Sequence, residues 1–157
     1  MGSKKIRGCL VQIHGVGVII RGRSGSGKSL AALSLMRQGH RLVADDLVEV
    51  ISDPGAPLIG KPLEQDVRIE VRGLGVFRAA TLFPQCLIQS SSIDFIADLD
   101  VYDPIRDSGR IEPETRDVQL LDRNILAVRV PLASGMDPAL LIEILAMRLS
   151  ETGTVKP

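Results

Sequence analysis

The stretch "IIRGRSGSGKSLAALSL", residues 19–35, determines the architecture of the chain because it joins an apolar run to a helix-like pattern through a glycine-rich segment. Within it, Gly22, Gly27, Lys28 and Ser29 match the phosphate-binding pattern G-x-x-x-x-G-K-[ST] without a mismatch. Glycines let backbone amides curl around phosphate oxygens, and the helix that follows directs its positive end to the same place. The stretch therefore predicts a strand, a phosphate-binding loop and a helix in succession.

Each part of the predicted loop has a chemical role in holding phosphate. The loop consists of Gly22, Arg23, Ser24, Gly25, Ser26, Gly27, Lys28 and Ser29. Lys28 adds a point charge for the β- and γ-phosphates, and the Ser29 hydroxyl can bind Mg²⁺. The alternative is a glycine-rich turn that matches by accident, but the flanking strand and helix patterns favour the phosphate-binding loop.

Two adjacent carboxylates, Asp45 and Asp46, follow the short predicted strand Arg41–Ala44. If loop, helix and strand form a β-α-β unit, the end of that strand returns to the loop. The pair could then bind Mg²⁺ directly or through water, and one carboxylate could act as a base. The alternative is a solvated turn. Asp46 lies 18 residues after Lys28 (46 − 28), a compact spacing that argues against a generic GTPase or a transport or recombination ATPase.

A second polar cluster lies in "RIEVRGLGVF", residues 68–77. Glu70 and Arg72 are two positions apart, so on a strand both side chains point to the same side. Together they could bind a metal ion and a phosphate, or they could form a surface ion pair of little energetic value. The sequence pattern alone leaves both interpretations open. Gly73 and Gly75 indicate a bend or a close backbone approach.

The composition is that of one soluble domain. The 157 residues are 45% hydrophobic and 24% charged, and Lys plus Arg equals Asp plus Glu at 19 each, so no net field would recruit nucleic acid or a membrane. No apolar run reaches about 20 residues. Cys9 and Cys86 lie in apolar stretches and are expected to be buried thiols in a reducing compartment. We therefore expect a cytoplasmic domain spanning residues 1–157, with residues 1–3 as a cloning remnant.

The rest of the chain predicts a β-rich α/β domain with few helices. Strands are predicted at 9–13, 16–20, 41–44, 47–51, 67–71, 93–101 and 125–132, with a surface loop at 53–62 and a mobile loop at 104–115. Gly39 is predicted to end the first helix. A final helix is capped by Asp137 and ended by Gly153. Its expected buried stripe is Leu140, Leu141, Ile144, Leu145 and Leu149.

Taken together, "HGVGVIIRGRSGSGKSLAALSLMRQGHRLVADDLVEV" (residues 14–50) and "IEVRGLGVF" (residues 69–77) closely resemble the catalytic domain of HPr kinase/phosphorylase. The resemblance runs from about residue 7 to residue 147. It implies a bacterial enzyme that phosphorylates a serine of the phosphocarrier protein HPr with ATP or pyrophosphate. The reverse reaction would use inorganic phosphate and yield pyrophosphate. The resemblance also implies a P-loop fold related to the nucleotide-binding domain of phosphoenolpyruvate carboxykinase, a homo-oligomer that is commonly a hexamer, and a short form without the N-terminal domain of longer members.

The resemblance also implies roles for individual residues. Lys28 would contact the transferred phosphoryl group, and Ser29 and Glu70 would be Mg²⁺ ligands. Asp46 would take the serine proton in the kinase direction and return it in phosphorolysis, while Asp45 would support it or the metal. Arg72 belongs to the Glu-x-Arg-Gly-Leu-Gly signature that both directions require.

Two stretches depart from the family pattern. Arg7-Gly8 stands where the family usually has His-Gly, and residues 133–136 read Ala-Ser-Gly-Met where the family has Arg-Pro-Gly-Arg. These departures favour phosphate and nucleotide binding over full bifunctional catalysis. The alternatives are a kinase with a different acceptor and a catalytically reduced nucleotide-sensing domain. His14 and His40 are expected to be structural or exposed rather than catalytic.

Overall fold

The fold is built on a mixed six-stranded sheet that carries helices on one face and a second sheet on the other. The computed structural model of the protein describes residues 2–155. Its strands are β1 Gly2–Arg7, β2 Cys9–Ile13, β3 Val16–Arg21, β4 Arg41–Ala44, β5 Leu47–Ser52, β6 Ile59–Pro62, β7 Arg68–Val71, β8 Gly75–Arg78, β9 Ser91–Ser92, β10 Phe95–Val101, β11 Glu114–Leu120 and β12 Arg123–Leu132. Its helices are α1 Lys28–Arg37, α2 Ala79–Leu82, α3 Pro104–Asp107 and α4 Pro138–Thr152, with a 3₁₀ turn at Pro84–Cys86.

The strand order of the central sheet brings two strand ends together. The order is β11-β12-β10-β3-β2-β4, and β2 pairs antiparallel with both β3 and β4. Strands β3 and β4 therefore run in the same direction, and their carboxyl ends lie at one edge of the sheet. The expectation that β4 returns towards the loop is confirmed, although β2 lies between the two strands. The second sheet has the order β1-β5-β6-β9, and β7 and β8 form a separate hairpin.

Two hydrophobic cores lie on the two faces of the central sheet. Alternate residues of β2 supply both cores: Cys9, Val11 and Ile13 pack on the side of α1 and α4, whereas Leu10 packs between the two sheets. Strand β2 thus separates its apolar residues by face, as a pleated strand requires. This two-sided burial makes the strands nearly continuous apolar runs.

Strand β4 contains a bulge next to β2. Leu10 pairs with Ala44, but the neighbouring Val11 pairs with Leu42, so Val43 is an extra residue in β4. Consistent with this geometry, Val43 and Ala44 both pack in the core between the sheets, whereas Leu42 packs on the helix side. The usual alternation is therefore broken one residue before the acidic pair.

The two sheets approach each other closely at two glycines. A Cβ on Gly17 would lie 1.5 Å from the backbone oxygen of Ser92, and one on Gly60 would lie 2.2 Å from the Cδ2 atom of Leu10. The Gly17 amide also donates to the Asp94 carboxylate at 2.7 Å. These positions accept no side chain because backbone or core atoms already fill the space.

An ion-pair cluster lies at the ends of β10 and β12. The Arg129 guanidinium donates to Asp107 at 2.5 and 3.1 Å and to Asp100 at 2.8 Å. The hydrogen bond from Arg129 lowers the pKa of Asp107 from its usual value near 3.8 to about 2. Because Asp107 is buried, this pair anchors the short helix α3 to the sheet.

Most predicted elements are confirmed, with three differences. Residues 59–62 of the predicted loop 53–62 form β6, and the predicted loop 104–115 contains α3 and the start of β11. In α4, Leu140 and Ile144 of the predicted buried stripe are about half exposed, at 52% and 50%. The buried line of α4 instead contains Ala139, Ile142 and Ala146, with Ile142 fully buried.

Several expectations concern single residues or the chain ends. Asp137 caps α4 through bonds to the amides of residues 139 and 140, and Gly153 ends the helix with a φ of 73°. Both cysteines are buried and free of disulfides. Residues 2–7 form β1, whereas Met1, named with Gly2 and Ser3 in the cloning-remnant hypothesis, lies outside the described residues. None of the helices in residues 2–155 has the length and hydrophobicity needed to span a bilayer.

Candidate functional site

The glycine-rich loop connects β3 to α1, as predicted. Helix α1 starts at Lys28, and Gly27 precedes it in a left-handed conformation with a φ of 99°. The Lys28 ammonium folds back over the loop and donates to the carbonyl oxygens of Gly22 at 2.7 Å and Arg23 at 3.1 Å. The lysine charge is therefore held at the loop, where a phosphate bound by the loop amides would lie.

The interior of the loop is tightly packed. A Cβ on Gly22 would lie 2.5 Å from Ser26 Oγ, so a larger residue cannot replace this glycine without moving the loop. The Ser26 hydroxyl is buried and has no hydrogen-bond partner within residues 2–155. An unpaired buried hydroxyl in a loop rich in amide donors fits a site whose hydrogen bonds are completed by a ligand or water.

Asp45 is placed against the first residues of α1. Its carboxylate accepts from the Ser29 hydroxyl at 3.2 and 3.3 Å and from the Cys9 thiol at 2.6 Å. Burial raises the pKa of Asp45, while the hydrogen bonds from Cys9 and Ser29 oppose that shift. The predicted proximity of the acidic pair to the loop is thus confirmed through the Ser29 contact.

Asp46 lies beside Asp45 but faces solvent. Its backbone is in the left-handed region with a φ of 70°, a conformation that aspartate adopts more readily than most residues. The Gly8 amide donates to its carbonyl oxygen at 2.9 Å. The Arg7 guanidinium lies 3.6 Å from its carboxylate, and both side chains are largely exposed, at 82% and 71%. Asp46 is therefore anchored through its backbone and open to a partner through its carboxylate.

The β7–β8 hairpin forms the opposite wall of a cleft of about 460 Å³. Residues lining the cleft include Lys28, Ser29, Asp45, Asp46, Glu70 and Arg72. The Arg72 guanidinium donates to Ser24 Oγ at 2.8 Å and would lie 3.0 Å from a Cβ on Gly25. Over the described range of the chain, Glu70 and Arg72 form no ion pair with each other. Arg72 instead bridges the hairpin to the loop.

The oxygen ligands of the cleft fit Mg²⁺ held together with phosphate. Within residues 2–155 there is no group of three or more His, Cys, Asp or Glu side chains that could hold a metal ion. Mg²⁺ commonly takes one or two carboxylates and completes its shell with substrate phosphate and water. The Ser29 hydroxyl and the Asp45 carboxylate, next to the loop, provide that kind of incomplete set.

The histidines take no part in the cleft lining. The His40 ring is buried and lies 2.7 Å from the Glu143 carboxylate of α4. His14 occupies the β2–β3 turn with a φ of 50°, and its ring centroid is 5.0 Å from that of His40. The expectation of structural roles agrees with these positions.

Two contacts beside the loop or the acidic pair were not predicted. Cys9 was expected to be a core thiol, but it also bonds Asp45 and lines the cleft. Arg21, directly before the loop, forms a bidentate pair with Asp98 at 2.8 and 3.0 Å. Neither contact has a sequence signal, because each joins residues brought together by strand pairing.

Comparison with known proteins identifies the family. The sequence model of the family named HPr Serine kinase C-terminal domain matches residues 2–155. The HPr kinase/phosphorylases of Geobacillus sp. (strain WCH70) and Bacillus subtilis (strain 168) are each 38% identical to the chain over 152 residues, covering 94% of it and 49% of the relative. The chain thus spans about half the length of these curated relatives.

A solved structure agrees with the sequence comparison. The structure of the Hpr(Ser) kinase/phosphatase from Coxiella burnetii superposes with a TM-score of 0.82 at 27% identity, covering 96% of this chain and 93% of that chain. Its fold is therefore shared along nearly the whole length of both chains. The chain belongs to the family of HPr serine kinase C-terminal domains.

Proposed function

We propose that the chain, taken as one catalytic domain over residues 1–157, is a serine kinase that transfers phosphate from ATP or pyrophosphate to the phosphocarrier protein HPr. The observation that supports this most directly is the convergence of Lys28, Ser29, Asp45, Asp46 and Glu70 on one cleft. A cation, a hydroxyl and three carboxylates beside a phosphate-binding loop are the groups that phosphoryl transfer to a hydroxyl requires. The HPr kinase/phosphorylase names of the relatives supply the acceptor.

In the kinase direction, the loop amides hold the phosphates of the donor. The Lys28 ammonium exchanges its two loop carbonyl acceptors for phosphate oxygens and stabilises the charge of the transferring group. Ser29, Asp45 and Glu70 would hold Mg²⁺, which supplies further neutralisation of the phosphate charge. Arg72, attached to the loop through Ser24, adds a guanidinium charge to that of the Lys28 ammonium at the cleft.

Asp46 is proposed as the base that accepts the proton of the acceptor serine. Its carboxylate is 71% exposed, so a serine on a protein surface can approach it. The serine oxygen then bonds to the transferred phosphorus as the bond to the donor breaks. In the reverse direction inorganic phosphate attacks phosphoserine, pyrophosphate forms, and Asp46 returns the proton to the serine oxygen.

Family resemblance extends this proposal to the fold relationship, assembly and location. We propose that the P-loop domain is related to the nucleotide-binding domain of phosphoenolpyruvate carboxykinase. We also propose that the chain assembles as a homo-oligomer, specifically a hexamer, and that it is located in the cytoplasm. A sedimentation velocity measurement of the purified chain tests the assembly, and a monomer at micromolar concentration would contradict it.

The test of the activity uses the purified chain, Mg-ATP and HPr from the same organism. We expect transfer to a serine of HPr that is lost in Asp46→Asn while nucleotide binding is retained. Loss of a general base lowers the rate about 10²- to 10⁴-fold. Adding phosphate to phosphoserine-HPr and assaying pyrophosphate tests phosphorolysis. Nucleotide binding by the unaltered chain without transfer to HPr would refute the HPr kinase proposal.

The second candidate is a nucleotide-sensing domain with reduced catalysis. It is favoured by residues 133–136, which form a turn between β12 and α4 without an arginine; the Met136 amide bonds the Ala133 carbonyl at 3.1 Å. A kinase with another acceptor is the remaining alternative. Mg-ATP binding without transfer to any protein of a cell lysate supports the sensor, whereas labelling of another protein supports the different acceptor.

A further inference from the structure

Three consecutive residues, Arg7, Gly8 and Cys9, hold the Asp45-Asp46 turn through three different groups. The guanidinium lies near the Asp46 carboxylate, the amide bonds the Asp46 carbonyl, and the thiol bonds Asp45 Oδ1. Two of these contacts act on Asp46, and the thiol is the contact of this segment that reaches Asp45. The junction of β1 and β2 therefore holds the acidic turn, and Cys9 contacts its inner carboxylate.

The two cysteines differ in what their thiols contact. Cys9 Sγ donates to a carboxylate at 2.6 Å and lines the cleft, whereas Cys86 Sγ donates to the backbone carbonyl of Met36 at 3.3 Å in the core. Of the two thiols, that of Cys9 is therefore the hydrogen-bond donor at the acidic turn.

The two oxygens of Asp45 are not equivalent. Oδ1 accepts from both Cys9 at 2.6 Å and Ser29 at 3.2 Å, while Oδ2 accepts from Ser29 at 3.3 Å and not from Cys9. The Ser29 hydroxyl donates its one proton to this carboxylate, so its lone pairs remain available to a cation. With Oδ1 occupied, Oδ2 keeps the larger capacity to accept a cation or a water bound to one.

We propose that Cys9 is a positioning residue of the Mg²⁺–nucleotide site: its thiol fixes the rotation of the Asp45 carboxylate so that Oδ2 and the Ser29 hydroxyl stay available to the metal. This inference rests on the proposed nucleotide-binding function and deepens it. Cys9 touches neither phosphate nor metal in this scheme. It acts through Asp45, as residues behind metal ligands commonly do.

The experiment measures nucleotide affinity with and without Mg²⁺ by isothermal titration calorimetry. Cys9→Val and Cys9→Ala remove the donor with a larger and a smaller side chain, and Cys9→Ser keeps a donor. Cys86→Ala is the matched control, because it removes the other buried thiol. Thermal unfolding of every variant reports whether the fold is retained, and having two donor-free variants covers the case in which one does not fold.

We expect the donor-free variants to bind Mg-ATP about 3- to 10-fold more weakly, the effect of losing one modest hydrogen bond to a charged group. Binding of ATP in EDTA stays unchanged, as does Mg-ATP binding by Cys86→Ala, and Cys9→Ser stays within about twofold of the unaltered chain. Equal weakening with and without Mg²⁺, or no weakening, overturns the inference alone. An unaltered chain that binds no Mg-ATP overturns the proposed function and the inference with it.

Discussion

Replacing Gly25 with alanine tests whether the phosphate loop and the β7–β8 hairpin are mechanically linked. Gly25 has a φ of 82°, and a Cβ there would lie 3.0 Å from Arg72 Nη1. The same guanidinium donates from Nη2 to Ser24 Oγ at 2.8 Å. An alanine at this position therefore strains the backbone and also displaces the guanidinium that joins the two walls of the cleft.

The expected cost has two parts. Holding a non-glycine residue in the left-handed region costs about 1–2 kcal/mol. Losing the exposed Arg72–Ser24 hydrogen bond adds about 0.5–1 kcal/mol, at the lower end for such bonds. Gly39→Ala is the matched control, because Gly39 has a φ of 92° but a Cβ there has no atom within 4 Å. It should lose the backbone part alone.

The assay is urea unfolding of Gly25→Ala, Arg72→Ala, the double variant and Gly39→Ala. We expect Gly25→Ala to cost about 0.5–1 kcal/mol less when Arg72 is already absent, since the displaced contact is then missing. Phosphoryl transfer should fall in Gly25→Ala and persist in Gly39→Ala. An equal cost of Gly25→Ala in both backgrounds would refute the link between loop and hairpin.

Three further predictions concern stability and the site. The hydrogen bond from Arg129 lowers the pKa of Asp107 to about 2, so this stabilisation is present above the usual pKa and is lost as the pH falls through the lowered one. The difference in unfolding free energy between the unaltered chain and Asp107→Asn should therefore shrink from roughly pH 5 to pH 2. A constant difference in urea titrations would contradict this. Gly17→Ala places a Cβ 1.5 Å from a backbone oxygen of β9, so we expect a loss above about 3 kcal/mol in thermal unfolding, and near-normal stability would show that the sheets can separate. Arg7→Ala should change the unfolding free energy by less than about 0.5 kcal/mol, because the pair of Arg7 with Asp46 is exposed. The same substitution should slow transfer to HPr, and an unchanged rate would show that Arg7 takes no part in the reaction.

Five of the six strands of the central sheet, all except β11, were predictable because their apolar runs are bounded by clear turn signals. Strand β6 was missed because Gly60 and Pro62 are typical of loops. In the structure Gly60 is needed for packing, since a Cβ would lie 2.2 Å from Leu10 Cδ2. A glycine required by the close approach of two sheets looks the same in sequence as a glycine required by a turn.

The face of α4 was misjudged for a related reason. Periodicity favoured a buried face that includes Leu140 and Ile144, but the buried line runs through Ala139, Ile142 and Ala146. Alanine adds little to a hydrophobic pattern, so a face that contains two alanines gives a weaker sequence signal than one that contains leucine and isoleucine.

The candidate site was predictable as a set of residues and not as a set of contacts. The loop and the acidic pair follow from local pattern and the direction of β4. The bonds of Asp45 to Cys9 and of Arg72 to Ser24 join residues 36 and 48 positions apart. They depend on β2 pairing with β4 and on the hairpin folding over the loop, which no local pattern specifies.

The bulge in β4 sets the phase of the chain that follows it. With strict alternation after Leu42, Asp45 would fall on the inter-sheet side, away from Cys9 and the start of α1. The extra residue Val43 reverses that parity, so the carboxylate meets Ser29 instead. The conformation of this segment is therefore as much a determinant of the site as its composition. Straightening the bulge while keeping both Val43 and Ala44 would keep every chemical group and direct the carboxylate to the wrong face.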